Sequence, residues 1–238
     1  MTKDIAKGET WLKRSGSIVV VALIAAVIIV GIYSITYFAA VPPADSRRID
    51  EFRKSLQDIR AAMNVDSVRQ FTIQKIMKII GQYNHDLPSS KKYEIADEIY
   101  KMSLKYTNLD VDLICATITH ESGRSWDPAV VSNAGAMGLM QVMPTTGMWI
   151  ANYEDITWTT PEEVLFNPIY NIRIGTRYLS ALIETYDLEG GLAAYEGGEK
   201  RAALWVANDK AEGILWTETS NAIPLVLKLY DEYRSMTL

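Results

Sequence analysis

The sequence predicts a mainly α-helical chain, and three observations carry that prediction. Apolar residues recur at helical spacing through most of its length. Two Pro-containing starts, "TPEEV" and "NPIYN", read as helix N-termini. Strand-like alternation is scarce. At 238 residues there is room for one ordinary domain plus something extra. Composition is globular, with 48% hydrophobic and 22% charged residues, and no repeat occurs at solenoid spacing. A net charge of −5 without a basic cluster gives no reason to expect a nucleic-acid partner.

The elements follow in order. Residues 1–16 read as a cytoplasmic tail and 17–41 as a transmembrane helix. No acidic or basic side chain occurs from Ser15 to Ala44. The ~24 apolar residues of this stretch would form a helix ~36 Å long, against a bilayer core of ~30 Å. A signal-peptide core is usually only ~7–15 residues. Phe38 stands where signal cleavage needs a small residue, so the segment reads as an uncleaved anchor. Trp11 and Tyr37 sit near its ends, as interface aromatics do. Basic residues flank both sides, and the nearest, Lys13 and Arg14, favour a cytoplasmic N-terminus.

Residues 42–88 read as a helical stalk. "PPADS" is a stiff exit followed by a cap at Asp45 or Ser46. Ile49, Phe52, Leu56, Ile59 and Met63 then alternate spacings of three and four for about two heptads. That pattern fits an amphipathic helix packed on the main domain, or a dimer-forming stalk. A second helix is expected over 67–84, ended by "HDLPSS". The main domain is placed at 89–238. In it, Thr160 caps a helix with Pro161 in the first turn and Glu163 closing a capping box. Asn167 and Pro168 open another, with Ile172, Gly175, Leu179, Leu182 and Tyr186 on one face. "NAGAMGLMQVMP" is too rich in glycine and methionine to be regular helix throughout.

One stretch, "ITHESGRS" at 118–125, carries chemistry. Ile114, Thr117 and Ile118 precede Glu121 by seven, four and three positions, so they share its helical face. An apolar face thus ends on a carboxylate, where the helix macrodipole disfavours negative charge. Burial there would raise its pKa above the ordinary ~4.3 and make it a candidate general acid. Gly123 lets the chain leave the helix at that point. The plain alternative is a glutamate turned outward at a helix end. His120 adjoins it, but adjacent helix residues point in different directions, so it reads as incidental. Cys115 reads as a small buried residue. Nothing has metal-ligand spacing, so neither a metal site nor a cofactor is expected.

Four blocks extend the reading: "ESG", "SNAGAMGLMQVMP", "NIRIGTRYL" and "LAAYEGG", in that order. Together, over about residues 90–235, they resemble the lytic transglycosylases of the soluble-lytic-transglycosylase (SLT) type. The resemblance implies a lysozyme-like domain with Glu121 as its single catalytic acid. It places Ser132, Gly138, Met140 and Gln141 along a glycan cleft and Tyr195 beside the acid. Met140 is expected to offer an adaptable apolar surface there, with Met137 and Met143 in the core. Tyr195 is expected to hydrogen-bond Glu121 or a substrate acetamido group. Trp205 and Trp216 are readable either as sugar platforms or as core. The chain also departs from the family pattern. Glu196 replaces an asparagine after the tyrosine, and Ala222 stands at an aromatic position. Arg124 and Ser125 lengthen the turn after "ESG", which is expected to reshape one cleft wall.

The implied substrate is the peptidoglycan glycan strand, cut between N-acetylmuramic acid and N-acetylglucosamine with closure of a 1,6-anhydro ring. The wall lies outside the cytoplasmic membrane. The catalytic domain is therefore expected in the periplasm or extracytoplasmic space, tethered by one N-terminal helix and open to an envelope complex. Two other readings stay open: a muramidase on the same scaffold, with Glu196 orienting water, and a weakly catalytic wall-binding module of an envelope assembly.

Overall fold

The computed structural model describes residues 22–37 and 46–236. The chain divides into two units at Met63. In the first, α1 (22–37) is helical with every side chain exposed. Among the described residues no helix is long and apolar enough to cross a membrane. The ends of the expected span, 17–21 and 38–41, lie outside the described residues, as do the tail and the two prolines at 42–43.

Residues Ser46–Tyr83 form one 38-residue helix, α2, where the sequence suggested two. Asn64, Asp66 and Ser67 are modest helix formers, but with no Gly or Pro between the two segments propagation continues. The seam residues Phe52, Leu56, Ile59 and Met63 are exposed. Beyond Asn64, Ile73, Ile76, Ile79 and Ile80 are buried in the core of the second unit. That unit therefore starts ahead of the Ser89 boundary suggested by the sequence.

The remaining helices of the second unit are α3 (Ser89–Lys105), α4 (Val111–Glu121), α5 (Pro144–Ala151), α6 (Pro161–Leu165), α7 (Pro168–Gly197), α8 (Glu199–Ala207) and α9 (Thr217–Ser235). Local chemistry sets several starts. Asp110 accepts from the Leu113 amide, Thr160 from Glu163, and Asn167 from Ile169 and Tyr170. Pro161 and Pro168 occupy first helical positions, where a missing N–H costs nothing. Helix α7 breaks its regular geometry at Asp187, where φ is 66°.

Helix α4 is buried all round rather than on one face: each residue from Leu113 to Thr119 is inaccessible. It packs against α3 and α9, and α7 packs against α3, α5, α8 and α9. Cys115 is among the buried residues. A helix enclosed on every side belongs in a core, so its accessible polar groups sit at its two ends, Asp110 and Asp112 at one and His120 and Glu121 at the other.

Candidate active site

Glu121 is the last residue of α4, and the chain turns away at once: Gly123 has φ 60° and Arg124 φ 62°. The lengthened turn folds back into α4 rather than over the cleft. Trp126 is fully buried, its Nε1 donating to Thr119 Oγ1 at 3.0 Å. Its carbonyl accepts from Asn84 Nδ2 at 3.1 Å. The expected effect of this turn on a cleft wall is therefore not found: the cavity beside Glu121 is lined by other residues.

That cavity, about 410 Å³, is lined by His120, Glu121, Ser132, Gln141, Tyr195, Glu196 and Glu218, with Ala134, Ala136 and Met143. Five of the seven site residues named from sequence thus meet in one place. A second cavity of about 230 Å³ shares Gln141, Met143, Tyr195 and Glu196 and adds Thr146 and Tyr178.

The other two site residues act differently. Met140 is 0% exposed and offers no surface to a ligand. A Cβ on Gly175 would lie 2.6 Å from its sulfur, so the methionine fills the space that glycine leaves. Met143, expected in the core, is instead 41% exposed and lines both cavities. Met137 is buried as expected. Gly138 is buried as well, with φ 76°. A Cβ there would lie 2.3 Å from both Asn171 Nδ2 and the Leu165 carbonyl. Its role is close backbone approach, not sugar contact.

Asn171 is the residue that sequence reasoning missed. It is fully buried on α7, where its Oδ1 accepts from the Met140 amide at 2.8 Å. Its Nδ2 donates to Met137 O at 2.9 Å and Leu165 O at 3.0 Å. One side chain thus ties the glycine-rich loop to α7 and the end of α6. The signal was an amide one turn before Gly175 on an otherwise apolar face. The loop is also self-supporting. Ser132 Oγ accepts from the Ala136 amide at 3.0 Å. Gln141 Nε2 donates to Gly138 O at 2.8 Å and Val130 O at 3.2 Å. Both side chains therefore shape the loop as well as lining the cavity.

Tyr195 does not donate to Glu121, as the resemblance suggested. Its hydroxyl donates to Met140 O at 2.7 Å. Burial, then the charge of Glu121, raises its pKa well above the usual range, so it stays a neutral phenol. Trp216 is 58% exposed, with the Arg201 guanidinium 3.6 Å from its ring centroid, while Trp205 packs on the core.

His120 is not incidental. Its Nε2 lies 3.5 Å from Glu196 Oε2. One ligand-type atom from each of His120, Glu121 and Glu196 lies within 4.8 Å of the others. A divalent cation accepts such a donor set, and spacing along the chain did not signal it because α7 supplies the third member. Burial first, then the charge and hydrogen bond of Glu196, push the Glu121 carboxyl well above its ordinary range. The result is a carboxyl pushed toward its protonated form, within 4.8 Å of a second carboxyl group and facing a cleft.

In comparison with known proteins, the transglycosylase SLT domain family matches residues 98–215. This chain carries an SLT domain. The soluble lytic murein transglycosylase of Escherichia coli K12 is 33% identical over 119 residues, covering 46% of this chain but 18% of its own. The membrane-bound lytic murein transglycosylase C of Edwardsiella ictaluri is 34% identical over 143 residues, covering 55% of this chain and 38% of its own. The chain therefore spans well under half the length of these relatives. Among solved structures, the 70-kDa soluble lytic transglycosylase in complex with bulgecin A superposes with a TM-score of 0.50 at 27% identity. That match covers 61% of this chain and 27% of the other. Glu121, the glycine-rich loop and Tyr195 all fall within the SLT domain, and the fold around them is mainly α.

Proposed function

We propose that this SLT-domain chain is a peptidoglycan lytic transglycosylase, cleaving the β-1,4 bond between N-acetylmuramic acid and N-acetylglucosamine during wall remodelling. The observation that carries the reading is Glu121: a carboxyl with a strongly raised pKa, ending a buried helix and opening on a cavity of about 410 Å³. Protonated Glu121 gives its proton to the glycosidic oxygen. The muramyl acetamido oxygen bonds to the anomeric carbon as the leaving oxygen departs. The resulting Glu121 carboxylate then takes the proton of the sugar's own 6-hydroxyl, whose oxygen closes the 1,6-anhydro ring. One group serves as acid and then base, and no water is consumed.

Digestion of purified peptidoglycan by the chain, followed by mass analysis, tests this. Muropeptides with anhydro ends, about 18 Da lighter than hydrolysed ones, are expected on this chemistry. Ordinary reducing ends would establish a muramidase instead. No digestion at all would leave the wall-binding module as the reading.

We also propose that residues 17–41 anchor the chain in the cytoplasmic membrane, N-terminus inside and SLT domain outside. What supports this is the uncharged run from Ser15 to Ala44 together with a substrate that lies outside that membrane. In spheroplasts an external protease is expected to cut within the SLT domain and spare a tag placed at Met1. Protection of the SLT domain would overturn this topology.

A further inference from the structure

Two of the departures from the family pattern meet in space. By the resemblance, Glu196 stands where an asparagine is expected and Ala222 where an aromatic residue is. Both line one small cavity of about 10 Å³ together with Thr117, Glu121 and Tyr195. Glu196 has a carboxyl oxygen within 4.8 Å of one of Glu121, and its Oε2 lies 3.5 Å from His120 Nε2.

A carboxylate beside a glycosidic acid has three chemical uses. As a base for water it stands ~6.5–9.5 Å from the acid, whereas the Glu121 and Glu196 oxygens lie within 4.8 Å. As a nucleophile it faces the anomeric carbon from the side opposite the acid, whereas Glu196 stands on the acid's own side, a carboxyl oxygen within 4.8 Å of ligand-type atoms of both Glu121 and its neighbour His120. The third use is to accept the N–H of the participating acetamido group and balance the charge developing on it.

We propose that Glu196 is a second catalytic carboxylate of this third kind. The inference rests on the transglycosylase reading. As the C1–O4 bond breaks, the glycosidic oxygen takes the Glu121 proton and the acetamido oxygen bonds to C1. This leaves an oxazolinium ion whose N–H points to Glu196, the carboxylate that has His120 Nε2 3.5 Å from its Oε2. When O6 bonds to C1, Glu121 takes the O6 proton, the C1–acetamido oxygen bond breaks, and the neutral amide returns. Glu196 gains and loses no proton.

The test compares two probes on the full 238-residue chain. One is the N-acetylglucosamine tetramer, a ground-state ligand. The other is the thiazoline of N-acetylglucosamine, a bicyclic mimic of the oxazolinium ion. In Glu196→Asn and Glu196→Gln, thiazoline affinity is expected to fall by about tenfold or more while tetramer affinity moves less than about twofold, the signature of a contact made only along the reaction path. Equal losses for both probes would reduce Glu196 to a structural residue. Unchanged thiazoline affinity, or a glycosyl adduct on Glu196 detected by mass spectrometry, would overturn the role outright. Failure of the transglycosylase reading shows separately, as absence of anhydro products from the unaltered chain. Two substitutions are used because the asparagine shortens the side chain and the glutamine keeps its shape.

Discussion

Replacing Glu121 with glutamine is expected to abolish wall digestion, by about 10³-fold or more, since one group is asked to act first as acid and then as base. Glutamine keeps the shape of the side chain and removes only the proton that is transferred. It also relieves the cost of burying a carboxyl beside Glu196, so the melting temperature should hold or rise. Loss of activity with an unchanged melt separates chemistry from folding; substantial residual digestion would remove Glu121 from the acid role. The pH profile gives the same residue a second readout. Burial is the largest cause of its raised pKa and Glu196 the next. The protonated form starts the reaction, so activity falls as pH rises through the raised pKa. Glu196→Asn should move that alkaline limb to lower pH without returning it to the ordinary carboxylate range, because burial remains. The stability sign agrees. A carboxyl whose folded-state pKa is raised contributes stability that is fully present below the unfolded pKa, ~4.3. That stability is lost as pH rises through the folded value.

Gly138→Ala is expected to cost the largest share of stability, more than about 3 kcal/mol, from φ strain and overpacking together. The backbone there has φ 76°, and the new Cβ would meet Asn171 Nδ2 and Leu165 O at 2.3 Å. Neither atom can retreat cheaply, since Asn171 holds Met137, Met140 and Leu165 at once. For a unit of this size that is a fall of about 10 °C in melting temperature. Digestion should be lost with it as Gln141 leaves the cleft. Gly135→Ala is the control: its φ is also positive, at 86°, but nothing lies within 4 Å of the added atom. It carries strain alone, about 1 kcal/mol. Equal melts for the two variants would show that the Asn171 staple is not what makes Gly138 necessary.

Several features were legible along the chain because their causes lie within four residues. Thr160 and Asn167 cap their helices through their own neighbours' amides. Gly123 turns the chain just past Glu121. The order of motifs indicated which loops share a cleft, and Glu121, Ser132, Gln141, Tyr195 and Glu196 do line one cavity. Other features depend on helices distant in sequence. Met140 and Met143 are alike in type and close in position, yet one fills the notch at Gly175 and the other faces the cleft. Composition does not distinguish them; the path of α7 does.

The same division holds for the acid itself. An apolar run ending in a glutamate and a glycine is written in the chain, and it already marks Glu121 as the carboxyl to watch. Its raised pKa is not written there. That depends on α4 being enclosed on every side and on the end of α7 bringing Glu196 against it. Desolvation and like-charge repulsion are properties of a surrounding volume. Most of that volume is filled by residues more than seventy positions away along the chain.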